Sequence, residues 1–136
     1  METRGQVAFE YLILTAFLLI VAIILFAYSF FVLVENSKIS VALSSVRSLA
    51  AASDQVSVLG PGNAVIVRIS LPDNVESATA LGKGINFRLN QLSGATDVTE
   101  YSIADITPVS LPAGLGVYDV KVEAVDENVV LSVVGA

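Results

Sequence analysis

From Tyr11 to Val34 roughly 24 consecutive positions carry no charged residue. As an α-helix that run is about 36 Å long, enough to cross a hydrocarbon core about 30 Å thick. It is too long for the apolar part of an ordinary secretory signal, and no small-residue cleavage site follows it at the usual distance, so the segment is expected to be retained. After Val34 the pattern becomes amphipathic. Ile39, Leu43, Val46 and Ala50 recur at steps of four, three and four, the spacing of one helical face. Glu35, Lys38, Arg47 and Asp54 stand among small polar residues on the other positions. Neither Gly nor Pro occurs from Gln6 to Leu59, and Gly60-Pro61-Gly62 then supplies an abrupt stop through backbone freedom and a missing donor. The pattern predicts one continuous helix of about 50 residues, spanning a membrane over 11–34 and amphipathic over 35–59.

Beyond Gly60 the period changes from 3.6 to 2. Val65 to Leu71 has one wholly apolar face, and Ile85 to Asn90 alternates cleanly, as half-buried strands do. Tyr118, Val120, Val122 and Ala124 share a face opposite Asp119, Lys121 and Glu123. Asp126-Glu127-Asn128 then precedes the apolar run Val129 to Val134, which predicts a C-terminal hairpin. Thr96 to Ile103 is a weaker strand candidate. Gly82-Lys83-Gly84 and the stretch Pro108 to Gly116 are expected to be a turn and a loop. A head of this size buries one sheet face only marginally, so it is expected to pack on the stripe from Ile39 to Ala50. The fold class is therefore α+β: a long N-terminal helix, transmembrane then amphipathic, with a small antiparallel β-sheet head over 60–136.

Composition narrows the function. The chain has 136 residues with no His and no Cys, which removes disulfides, thiolate nucleophiles, imidazole bases and the usual zinc sites. No catalytic residue, metal site or cofactor is expected. From Val58 onward there are four Lys/Arg against nine Asp/Glu, the wrong sign for neutralising phosphates, so no nucleic-acid partner is expected. Asp126, Glu127 and Glu123 lack the spacing of a calcium loop and fit a hairpin turn. The aromatic residues of the apolar run are read as packing residues or interface anchors.

Glu10 is the polar position that most needs a reason. One residue before the uncharged run, an ionised carboxylate costs a few kcal/mol unless it reaches the headgroups, is neutralised or finds a partner. The short leader Met1-Glu2-Thr3-Arg4-Gly5 carries Arg4 and the terminal amine as its positive charges, which orients the N-terminus towards the cytoplasm.

Gly5-Gln6-Val7-Ala8-Phe9-Glu10-Tyr11-Leu12, running directly into the apolar helix, resembles the class III signal peptide of archaeal type IV pilins, whose pattern is Gln, any residue, Ser, any residue, Glu, Tyr. Ala8 departs from it by replacing one small residue with another. The resemblance is specific over residues 4 to 12 and architectural beyond. It implies that residues 1–5 are a leader, that a prepilin peptidase cuts between Gly5 and Gln6, and that Glu10 becomes the fifth residue of the processed chain. It further implies a precursor held in the cell membrane, an assembly platform with its ATPase, and a homopolymer of identical subunits on the cell surface serving adhesion. Gln6, Glu10 and Tyr11 would be the assembly residues. A monomeric membrane-anchored binding ectodomain and an archaeal flagellum-type subunit are the alternatives. An enzyme is disfavoured by the missing His and Cys.

Overall fold

The computed structural model describes residues 2–135, so Met1 of the expected leader and Ala136 at the end of the expected head lie outside the described residues. Helix α1 runs Glu2–Leu59 and is followed by five strands: β1 Ala64–Leu71, β2 Val75–Gln91, β3 Gly94–Leu111, β4 Gly116–Val125 and β5 Asn128–Gly135. The class is α+β. The chain divides into two compact units, residues 1–36 and 37–136. The first is helix alone. The second joins the remainder of α1 to the sheet.

The helix stops where its donors and acceptors can be met another way. Gly60 takes φ +92°, a conformation open to glycine at little cost. The Asn63 side-chain amide donates to the Leu59 carbonyl at 2.9 Å and to that of Gly60 at 3.0 Å, satisfying acceptors that a helix end otherwise leaves bare.

In the second unit the sheet order is β1-β4-β5-β3-β2. Neighbours are antiparallel except β3 and β5, which run parallel over two residue pairs, Asp105↔Asn128 and Ile106↔Val129. The sheet is thus mostly rather than wholly antiparallel. The C-terminal hairpin closes at Val125↔Asn128 over Asp126 and Glu127, with Asp126 at φ 52°, a left-handed conformation that Asp tolerates better than most residues.

The core lies between the inner face of α1 and one face of this sheet. Val46, Leu49 and Val56 on the helix, and Ile85, Phe87, Leu89, Val120, Val122 and Leu131 on the strands, are buried, each contributing roughly 1.5–3 kcal/mol of transfer free energy. Of the predicted stripe, Val46 and Ala50 are buried, while Ile39 and Leu43 pack half-buried at its margin. Ala42, Leu49, Ala52 and Val56 complete the face.

Two expectations are corrected. Gly82-Lys83-Gly84 is not a turn between strands, and Pro108 is not in a loop: both lie inside the long strands β2 and β3, where their register shifts. Gly82 pairs with Ile106 and Gly84 with Tyr101, leaving the single residue Lys83 opposite Ser102 to Asp105. Gly82 adopts φ +60°, and Pro108, with no N–H to donate, fits at such an irregularity. The bulge also switches which residues face the core. Ala78 and Ala80 are buried on one side of it, and Ile85, Phe87 and Leu89 on the other, a change of phase that a regular strand cannot make.

Two helix side chains fasten the sheet. Asp54 Oδ1 accepts from the Ile103 backbone N–H at 2.8 Å and from the Ser102 hydroxyl, whose oxygen accepts from the Ala104 N–H at 3.1 Å. These are the backbone groups that the bulge frees from pairing. At the edge strand β1, Ser45 Oγ donates to the Ser70 carbonyl at 2.7 Å and accepts from its N–H at 3.1 Å, so a hydroxyl stands in for a neighbouring strand. On the surface, the Lys38 ammonium lies 2.7 Å from Asp73. Its hydrogen bond holds the Asp73 carboxyl below the usual carboxylate range. The contact therefore supports the fold fully above that range and is lost as pH falls through the lowered pKa.

Two outcomes are expected. A chain beginning at Ser37 keeps the helix face and shows a cooperative melt with strong amide protection. One beginning at Gly60 exposes Phe87, Leu89 and Val122, and loses protection throughout the sheet; equal protection in both would exclude a helix-dependent core. Asp54→Ala lowers stability by about 1–3 kcal/mol, read by chemical denaturation, and hastens exchange at the Ile103 amide before other sheet amides.

Candidate assembly site

Within the first unit Gly5, Gln6, Glu10 and Tyr11 are all helical. Gln6 and Glu10 are four residues apart and share a face, as do Val7 and Tyr11. All are exposed, and Glu10 takes part in no ion pair among the described residues. The predicted cleavage junction, Gly5 to Gln6, falls in the first turn and a half of α1. The first four N–H groups of a helix have no intrahelical acceptor, and Gly weakens helix by about 1 kcal/mol relative to Ala. A Cβ at Gly5 would meet nothing within 4 Å. Glycine is therefore not demanded there by packing, and its local effect is to make the junction easier to unwind.

The apolar run that follows is bare. From Tyr11 to Leu33 nearly every side chain is exposed, Phe26 at 75%. The most apolar 18-residue stretch of the helix has a mean hydropathy of 3.0, and none of it is covered by the rest of the chain. The helix is long and apolar enough to cross a membrane. Tyr11 and Tyr28 are 17 residues apart, about 26 Å along a helix, a spacing that suits two aromatic anchors at opposite interfaces. Inside the run, the Thr15 hydroxyl donates to the Tyr11 carbonyl at 2.8 Å, so it needs no water.

In the second unit the outward face of α1 has a different chemistry. Ser37, Ser40, Ser44 and Ser48 form a ridge at steps of three, four and four, flanked by shallow grooves of about 420 and 410 Å³. The Ser48 hydroxyl donates back to the Ser44 carbonyl at 2.9 Å. Small side chains on a helix face let another helix approach closely. Serine steps of four were a signal for this ridge, whereas inward Ser45 and Ser53 have the same residue type and are buried. No group of three His, Cys, Asp or Glu able to hold a metal ion gathers among the described residues.

Among known proteins, no family model matches the chain, and neither a curated protein nor a solved structure matches it.

The absence of cysteine from the sequence makes the span directly testable by single-cysteine labelling. In membranes, Ala22→Cys is expected to resist a water-soluble maleimide while Ser37→Cys reacts readily. Equal labelling at both positions would show that residues 11–34 do not cross the bilayer.

Proposed function

We propose that this chain is the precursor of an archaeal type IV pilin-like subunit, inserted in the membrane by residues 11–34 and polymerised through α1 after removal of residues 1–5. The observation that carries the reading is the uncovered apolar helix directly after Gly5-Gln6 and Glu10-Tyr11. Left in water, such a surface drives association; it requires either lipid or other copies of itself. Both environments fit, one before assembly and the other after it. The serine ridge at 37–48 supports the same reading, since it leaves the outward helix face free for close packing while the inward face holds the sheet.

Processing would generate an α-ammonium on Gln6, with a reference pKa near 8. In a packed array of helices that ammonium is the natural partner for Glu10 of a neighbouring copy. The low dielectric strengthens the attraction and makes either charge costly alone. The pair would set the register in which a subunit enters the filament. The partners in this reading are identical subunits, a prepilin peptidase, and an assembly platform with its ATPase. The chain has no catalytic role of its own, and the extracellular filament serves attachment.

Intact-mass analysis of purified surface filaments tests processing and destination together: subunits are expected to begin at Gln6, and filaments whose subunits still begin at Met1 would sink the reading. Glu10→Ala is expected to be processed and inserted yet give little sheared filament, with Glu10→Gln intermediate because its amide oxygen accepts a hydrogen bond without supplying a charge. Normal filament yield from Glu10→Ala would eliminate the pairing step. A monomeric ectodomain would instead keep residues 1–5 and stay in the membrane fraction.

A further inference from the structure

We propose that the outer face of the β2–β3 bulge is a carbohydrate site, which takes a pyranose ring against Tyr101 and favours acidic sugars through Lys83. Gly84↔Tyr101 and Asn86↔Thr99 are successive cross-strand pairs on one face of the sheet. The Tyr101 ring lies over the Gly84 backbone, so that a Cβ there would meet its Cε1 at 3.5 Å. The ring is nevertheless 74% exposed. With Thr79, Leu81, Lys83, Asn86 and Thr99 it bounds a shallow depression of about 430 Å³.

The lining suits one class of ligand. The face of an aromatic ring is electron-rich and attracts the C–H groups that a pyranose presents on its apolar side. Thr79, Thr99 and Asn86 place donors and acceptors around that ring for sugar hydroxyls. Asn86 Nδ2 already donates to Thr99 Oγ1 at 3.0 Å, which orients both groups. Lys83 is exposed and joins no ion pair among the described residues, although the head carries more than twice as many acidic as basic side chains. An anionic substituent near Lys83 would therefore find an unpaired cation.

Size and stiffness narrow the choice further. Seven residues line the depression, far fewer than the roughly 20–30 a side that a stable protein interface engages. It is too open for an apolar small molecule, which needs enclosure. It is also held from behind: Asp54 grips the bulge at Ser102 and Ile103, so the backbone beside Tyr101 is fixed before a ligand arrives. Tyr101 faces outward by the regular alternation of β3, in which Val98, Ser102 and Ala104 are buried. The inference concerns the head alone and does not depend on filament assembly.

The test uses the full chain in detergent micelles and immobilised gluco-, manno- and galacto-configured oligosaccharides, each in neutral and uronate-bearing form. At least one uronate-bearing probe is expected to bind, and to bind more tightly than its neutral counterpart. Tyr101→Phe keeps the ring and most of the affinity. Tyr101→Leu keeps an apolar cover over Gly84 but loses the ring face, and weakens binding at least about five-fold. Lys83→Gln removes the preference, so that uronate-bearing and neutral probes bind alike. Thermal melts establish that each variant is folded; should Tyr101→Leu melt early, Thr99→Val gives the second reading, again with weakened binding expected. The proposal is overturned if no probe binds, if a peptide array captures the chain more strongly than any sugar, if Tyr101→Leu in a folded state binds as the parent does, or if Ile66→Ala on β1 produces the same loss.

Discussion

The head depends on one contact, the covering of an apolar sheet face by the inner side of a helix that begins well before the head does. Phe87, Leu89, Val122 and Leu131 would otherwise be open to water, and a domain of this size has too little surface of its own to hide them. Each polar device in the head is subordinate to that contact. Ser45 and Asp54 can reach the backbone of β1 and β3 only because Val46, Leu49 and Val56 bring the helix against the sheet. In return, they fix where along the sheet the helix lies, which apolar packing alone leaves loosely specified.

One helix therefore carries two separate obligations. Its side chains from Tyr11 to Leu33 are nearly all exposed, and its residues from Ala42 to Val56 are half of a core. Serine makes the second obligation compatible with a third. Turned inward, as at Ser45 and Ser53, it bonds to backbone; turned outward, as at Ser40 and Ser44, it leaves a low ridge. A leucine at those outward positions would add apolar surface with no partner in the monomer.

Much of this was legible in sequence because the signals were periodic and local. The helix and its stop at Gly60, strand β1 and the hairpin around Asp126 follow from spacing and turn chemistry. The bent middle of β2 and β3 was not legible. Gly82, Gly84 and Pro108 carry the local marks of turns, and only their long-range pairing makes them parts of strands. Ser45, Ser53 and Ser102 were hidden for another reason: residue type does not announce that a hydroxyl is buried. The proposed assembly residues Gln6, Glu10 and Tyr11 stand on an open helix surface. What Glu10 would face in the proposed filament depends on other copies, which a single chain's sequence carries only as an unexplained charge at the edge of an apolar run.

The strand order has a consequence for how the molecule comes into being. β5, fifth in chain order among the strands of this sheet, lies at its centre, between β4 and β3. Until it arrives, β2 and β3 form an antiparallel pair on one side, and β1 with β4 another, with no direct pairing between the two. Joining β1 to β4 across the intervening hairpin requires non-local closure, which is slow relative to local hairpin formation. Until β5 is made, the nascent chain consequently carries two half-sheets that do not pair with each other. Loss of β5 alone would part the sheet between β4 and β3 while leaving the sequence of α1 untouched, so the centre of the sheet is its most exposed point to truncation.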